Sequence, residues 1–302
     1  MNLNSIETVL AIILMVILGY ILRRINLLKT EDAHALNKIV VNVAIPSLIF
    51  LSVYSMNTSD LPGLTFIPLI CILVALITGS IAYLWTSMKG YSPQKKWGII
   101  LPTAMLNSGF MGYPFSMGLF GSEGLLRAVF YDMGSVLVFI ILGIVLILIF
   151  GGKLKDILRR FLMFPPLWAI ILGLGSNYLH FPLGFVVEDV LYYLSGAAIP
   201  LIMISLGLSI EFRGIKENFQ DATFVSITRL LISPLMALVV VSIIGLGGLE
   251  KTVTILESAM PSAMLSMVLA ISYDLDFKTT ASCIFLSTLL SMVTLPLILA
   301  LL

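Results

Sequence analysis

Ten apolar stretches follow one another along this chain with only short polar interruptions between them. They cover about 5–23, 36–54, 64–87, 97–120, 126–150, 165–180, 187–209, 222–245, 250–273 and 279–301. A helix needs roughly 20 apolar residues to cross the hydrocarbon core of a bilayer, so 302 residues arranged this way leave no room for a soluble domain of useful size. Composition points the same way. The chain is 59% hydrophobic and 11% charged, with a mean hydropathy of +1.10, too little polar surface to coat a water-soluble globule. The expected fold class is therefore an all-α integral membrane protein of ten helices, multi-pass in the cell membrane, with the lipid bilayer as its first partner. The first run, Ile6 to Leu22, has no basic residue before it and no small-residue cleavage site after it, and reads as a retained helix.

Basic residues test this count, because they should collect in alternate loops. Arg23, Arg24, Lys29 and Lys38 fall in or beside the first loop, Lys89, Lys95 and Lys96 in the third, and Lys153, Lys155, Arg159 and Arg160 in the fifth. Arg213 and Lys216 follow in the seventh and Lys278 in the ninth, against only Arg127 and Lys251 on the opposite side. This asymmetry puts the odd-numbered loops in the cytoplasm and both termini outside. The net charge of +1 hides that pattern and gives no reason to expect a nucleic-acid partner.

Five spans per half is an odd number, so related halves would have opposite orientations. Ala44-Ile45-Pro46 reappears as Ala198-Ile199-Pro200 at an offset of 154, and Leu18-Gly19 reappears as Leu172-Gly173 at the same offset. The shared register divides the chain into residues 1–151 and 152–302, two inverted five-helix repeats.

Span four carries Asn107-Ser108-Gly109-Phe110-Met111-Gly112-Tyr113-Pro114-Phe115-Ser116-Met117-Gly118, and span nine carries Glu257-Ser258-Ala259-Met260-Pro261-Ser262-Ala263-Met264-Leu265-Ser266. Both runs are crowded with residues that weaken a helix. A mid-span proline frees carbonyl groups that lipid cannot satisfy, so Pro114 and Pro261 are expected to mark helix breaks facing protein or a water-filled cavity. Half-helix N-termini at such breaks offer N–H groups to an anion. Asn107, Ser108, Gly109, Tyr113, Pro114, Met260, Pro261, Ser262 and Ser266 are the candidate substrate-binding residues. Each serine has the plainer alternative of bonding its own helix. Pro46, Pro68, Pro200, Pro234 and Pro296 read as ordinary kinks.

Ionisable residues within spans are costly and become candidates by default. Asp132, Arg229 and Glu257 qualify. Arg229 could meet a substrate carboxylate and either acid could carry a coupling ion, proton or sodium; alternatively all three reach the nearest interface. His34 and His180 read as loop residues, and Cys71 and Cys283 as small buried hydrophobes. Without CxxC, HExxH or a His-carboxylate cluster, no metal or other cofactor is expected.

With Gly112-Tyr113-Pro114, Ala259-Met260-Pro261 and the closing Ser287-Thr288-Leu289-Leu290-Ser291-Met292-Val293-Thr294-Leu295-Pro296, the chain resembles a prokaryotic member of the auxin efflux carrier family, which includes plant auxin exporters and bacterial malate and malonate permeases. The resemblance covers essentially the whole length. It implies broken helices four and nine crossing at their prolines, a scaffold of spans one, two, six and seven that often dimerises, and a transport unit of spans three to five and eight to ten. The family's crossing asparagine and prolines carry over onto Asn107, Pro114 and Pro261. The long cytoplasmic loop of the plant exporters is absent, and no motif identifies auxin as the substrate.

The reading that follows is a secondary transporter of a small organic anion, a dicarboxylate or an auxin-like acid, working by alternating access. A proton- or cation-coupled antiporter of similar topology is the alternative. An ATP-driven pump lacks its phosphate loop. An intramembrane enzyme would have to be built on Tyr131-Asp132 without a second acidic signature, so no enzymatic activity is expected.

Overall fold

The structure, a computed structural model, describes residues 3–58, 61–209 and 216–301. Arg213 lies outside the described residues, as do the side chains of Arg160 and Lys216. Helix α1 (Leu3–Arg24) is followed by α2 (Thr30–Ile39), a π turn (Val40–Ala44) and α3 (Ile45–Tyr54). The short α4 (Leu61–Leu64) leads into α5 (Phe66–Met88) and then α6 (Pro93–Ala104), after which the helix is interrupted and resumes through a second π turn (Ser108–Gly112) into α7 (Tyr113–Phe150). Next come α8 (Leu154–Leu162), α9 (Pro165–Tyr178), α10 (Phe185–Gly196) and α11 (Ala198–Leu208). A third π turn (Thr228–Ile232) joins α12 (Phe219–Ile227) to α13 (Ser233–Ile244), and α14 (Gly248–Ser258), α15 (Leu265–Ser272) and α16 (Phe277–Leu301) complete the described chain.

Six of these helical stretches are long and apolar enough to cross a bilayer: Thr30–Tyr54, Leu61–Met88, Ser108–Phe150, Phe185–Leu208, Phe219–Ile244 and Phe277–Leu301. Large apolar side chains such as Leu14, Leu84, Leu148 and Ile243 stand exposed on the outer surface, where water would oppose them and lipid accepts them. The molecule is an all-α, multi-pass membrane protein. Cys71 and Cys283 are both fully buried.

Each π turn precedes a proline. The N–H of Ile45 bonds the Val40 carbonyl, that of Tyr113 bonds Ser108, and that of Ser233 bonds Thr228, and in every case the next residue is proline: Pro46, Pro114 and Pro234. A proline ring in a regular helix collides with the carbonyl four residues back, and one widened turn moves that carbonyl aside. Pro102 inside α6 is handled differently. It leaves the Gly98 carbonyl without its helical donor, and the Thr280 hydroxyl of α16 donates to that carbonyl at 2.9 Å. Gly121, at φ 65° and ψ −155°, bends α7 in a conformation that glycine reaches without a Cβ penalty, at the point where the fourth and fifth apolar runs meet. His34, expected in a loop, lies inside α2, because the Asp32 carboxylate accepts the Lys29 N–H at 2.7 Å and starts that helix a turn earlier than hydropathy suggests.

Helix α1 packs along α11, and α9 along α3. Glycine sets both approaches. A Cβ on Gly19 would lie 2.2 Å from the Ile204 carbonyl oxygen, and one on Gly207 2.0 Å from that of Val16. Gly173 is looser, at 3.1 Å from the Phe50 oxygen. Backbone cannot yield as a flexible side chain does, so Gly19→Ala and Gly207→Ala should each cost about 2–3 kcal/mol by forcing the helices apart, and Gly173→Ala less than about 1 kcal/mol. Thermal unfolding of the three variants in detergent checks the order; equal losses at Gly173 and Gly207 would contradict this packing.

Candidate functional site

The interruptions after α6 and after α14 meet inside the bundle. Leu106 and Ser262 pair in an isolated antiparallel bridge, in which the Asn107 N–H donates to the Pro261 carbonyl at 2.8 Å and the Ala263 N–H to the Met105 carbonyl at 3.0 Å. Two short extended segments thus satisfy each other where neither can satisfy itself. Pro261 lies in its interruption, as its sequence suggests. Pro114 does not. The chain leaves helical geometry at Met105–Asn107, and Pro114 sits in the first turn of α7, its clash absorbed by the π turn before it.

Two C-terminal ends, those of α6 and α14, lie at this meeting point, and Arg229 answers both. Its side chain is fully buried, its Nη1 donates to the Thr103 carbonyl at 3.4 Å, and its Nη2 donates to the Ser258 and Met260 carbonyls at 3.1 and 3.2 Å. The Ser233 hydroxyl adds a bond to the Ser258 carbonyl at 2.7 Å. Unpaired carbonyls at a helix C-terminus carry partial negative charge, and the planar guanidinium serves several at once. Arg229 does not run to an interface.

Glu257 lies on the other side of the same centre. Fully buried, it accepts from Ser108 Oγ at 2.7 Å through Oε2 and from Ser116 Oγ at 2.8 Å through Oε1. The carboxylate rests against the Cα of Gly112, where a Cβ would come within 2.0 Å of Oε2. The beginning of the resumed helix, where the sequence led us to expect a substrate anion, is therefore filled by the protein's own acid. Asp132 is half-buried nearby, accepting from the Tyr113 hydroxyl at 2.8 Å and facing Gly109, whose Cβ would stand 3.9 Å from Oδ2.

The remaining candidates divide. Ser266 turns back onto the Ala263 carbonyl at 2.6 Å, and Met260 contributes its carbonyl to Arg229 while its side chain is buried. The Ser262 N–H is accepted by Ser287 Oγ at 3.2 Å, but the buried Ser262 hydroxyl has no partner among the described residues. The Asn107 side chain, 5% exposed, likewise forms no hydrogen bond among the described residues. Sequence reasoning missed Thr103, Ser116, Ser233 and Ser287. Ser116 carried a signal, since it stands eight residues after Ser108 on the same helical face, and Ser287 opens the closing motif that carries the resemblance; Thr103 and Ser233 act through a neighbouring helix and carried none.

A cleft of about 810 Å³ approaches this centre. Leu206 and Ser209 line one wall, while Met264, Phe285, Thr288 and Met292 line the other. Thr30, Glu217 and Lys278 line it as well, and its lining reaches Met264, two residues from Ser262.

Apolar helices interrupted around a buried polar centre, with a cleft leading toward it, are the architecture of a membrane transporter. The chain belongs to the auxin efflux carrier-type family described as "Membrane transport protein", which matches residues 4–158 and 152–299. An uncharacterized transporter of Methanothermobacter thermautotrophicus is 51% identical over 97% of both chains, and one of Methanocaldococcus jannaschii is 39% identical over 96% of both. A probable auxin efflux carrier component of Oryza sativa subsp. japonica is 27% identical over 44% of this chain and 33% of the plant protein.

Proposed function

We propose that this transporter is a secondary carrier of a small organic anion, holding it where the two interrupted helices cross and releasing it by alternating access. The observation that carries the reading is the pair of polar side chains there that make no hydrogen bond among the described residues, the Asn107 amide and the Ser262 hydroxyl. Buried polar groups are nearly always bonded, and a substrate carboxylate can accept from both. In this reading residues 1–151 and 152–302 are inverted halves. Helix α1 on α11 corresponds to α9 on α3, and Gly19 and Gly173 stand at equivalent approaches. Helices α1–α3 and α9–α11 form the scaffold and the others move against it. The cleft between Leu206 and Phe285 then separates the two units. Its lining residues Thr30, Glu217 and Lys278 belong to the loops richest in Lys and Arg, which the positive-inside rule assigns to the cytoplasm of the cell, with both termini outside. A homodimer would use α10, whose Phe185, Val190, Tyr192 and Tyr193 are exposed.

A second observation favours coupling to a proton or another cation. Glu257 brings a carboxylate to the crossing itself, held among the described residues by the hydroxyls of Ser108 and Ser116.

Asn107→Ala and Ser262→Ala test the substrate site. Each is expected to cut uptake of the labelled carboxylate that the protein moves in proteoliposomes by roughly tenfold to a hundredfold, the value of one hydrogen bond to a charged group, while leaving thermal stability near wild type. Unchanged flux in both variants would move the site elsewhere.

A further inference from the structure

Helix α8 has no part in the centre just described. It is nine residues long, about 14 Å at roughly 1.5 Å per residue, too short to cross a bilayer. Leu154, Leu158 and Leu162 recur every four residues and form one exposed stripe, 48%, 43% and 55% accessible. Ile157, beside that stripe, is buried against α7, where a Cβ on Gly143 would meet its Cδ1 at 2.5 Å. The helix is thus anchored on one side with its leucines left uncovered. At its far end, the indole N–H of the exposed Trp168 donates to the Leu162 carbonyl at 2.7 Å, an amphipathic ring suited to the level of lipid headgroups.

The polar side is basic. Lys153, Lys155 and Arg159 are exposed, and among the described residues they form no ion pair. Between residues 153 and 160 the sequence holds four basic residues and one acid, Asp156. Leucines beside unpaired cations on a short helix are the signature of a segment lying in the plane of a membrane surface, its apolar face among acyl chains and its cations at phosphates. Zwitterionic headgroups would satisfy the leucines and leave the charges without a net counterpart.

We propose that α8 is a binding site for anionic phospholipid headgroups, with Lys155 and Arg159 contacting the phosphates and Leu154, Leu158 and Leu162 inserted beneath them. Because α8 joins α7 to α9, the lipid fixes the depth of the connector between the two halves of the chain.

The test uses the full-length protein in nanodiscs of phosphatidylcholine alone or of phosphatidylcholine with about one third phosphatidylglycerol, following amide hydrogen exchange across residues 153–163. Phosphatidylglycerol is expected to slow exchange in α8 by roughly thirtyfold to a hundredfold, the effect of bringing two or three cations to an anionic surface. A Lys155→Gln/Arg159→Gln variant should exchange at the same rate in both lipids. Leu158→Glu should raise exchange in both. Equal exchange of the wild-type α8 in the two lipids, or a lipid effect that survives removal of both cations, overturns the proposal. Unchanged exchange in Leu158→Glu overturns insertion of the apolar face.

Discussion

Arg229→Met is expected to melt well below the wild-type protein, losing about 3–5 kcal/mol. The substitution keeps most of the side chain's length and apolar volume. What it removes is the donor shared by the Thr103, Ser258 and Met260 carbonyls, and buried carbonyls without a donor cost about 1–3 kcal/mol each. The Ser258 carbonyl keeps its bond from Ser233, which holds the expected loss below the full sum. Arg229→Lys separates charge from geometry. A lysine ammonium restores the positive charge beside the two helix ends, yet as a compact point charge it cannot reach α6 and α14 together, so about half of the loss should remain. Thermal unfolding in detergent, read from tryptophan fluorescence, measures both. A methionine variant that melts within a degree or so of wild type would mean that the two helix ends hold their positions without the guanidinium.

Much of the architecture was legible because the bilayer enforces it. Apolar runs located the long helices to within a few residues, and where they failed the cause was local chemistry: the Lys29–Asp32 cap extends α2 over polar residues that hydropathy assigns to a loop. The interruption near Pro261 could also be read. That of the fourth span could not, since Met105 and Leu106 are ordinary apolar residues, and their extended form is made worthwhile by the partner strand around Ser262. Pro114 drew attention away from it, because sequence shows the proline and not the π turn that accommodates it. The buried charges were legible as a list and not as roles. A cation within a span looks the same whether it faces a substrate, an interface or the carbonyl ends of two helices, and only the packing of α13 against α14 brings Arg229 to the last of these.

Gly112→Ala should be the most damaging addition of a single methyl group at the crossing. The new Cβ would lie 2.0 Å from Glu257 Oε2 and 2.5 Å from both Cδ and Oε1, so the carboxyl group must leave the Ser108 and Ser116 hydroxyls. Overpacking of about 1–3 kcal/mol adds to the loss of two hydrogen bonds to a buried acid, for an expected total of about 3–5 kcal/mol and transport below roughly a tenth of wild type. Removing the carboxyl group should return the space: Gly112→Ala/Glu257→Ala is expected to be more stable than Gly112→Ala alone, with a coupling of about 2 kcal/mol between the two sites. Additive losses would show that the methyl group is accommodated by backbone movement and that Glu257 is not what Gly112 makes room for. Glu257→Gln then asks what the acid does, since the amide keeps its shape and its place between the serines. If Glu257 carries the coupling ion, this variant stays folded and its flux no longer follows an imposed pH gradient; a flux that follows the gradient as in wild type would leave the acid a purely structural part in the crossing.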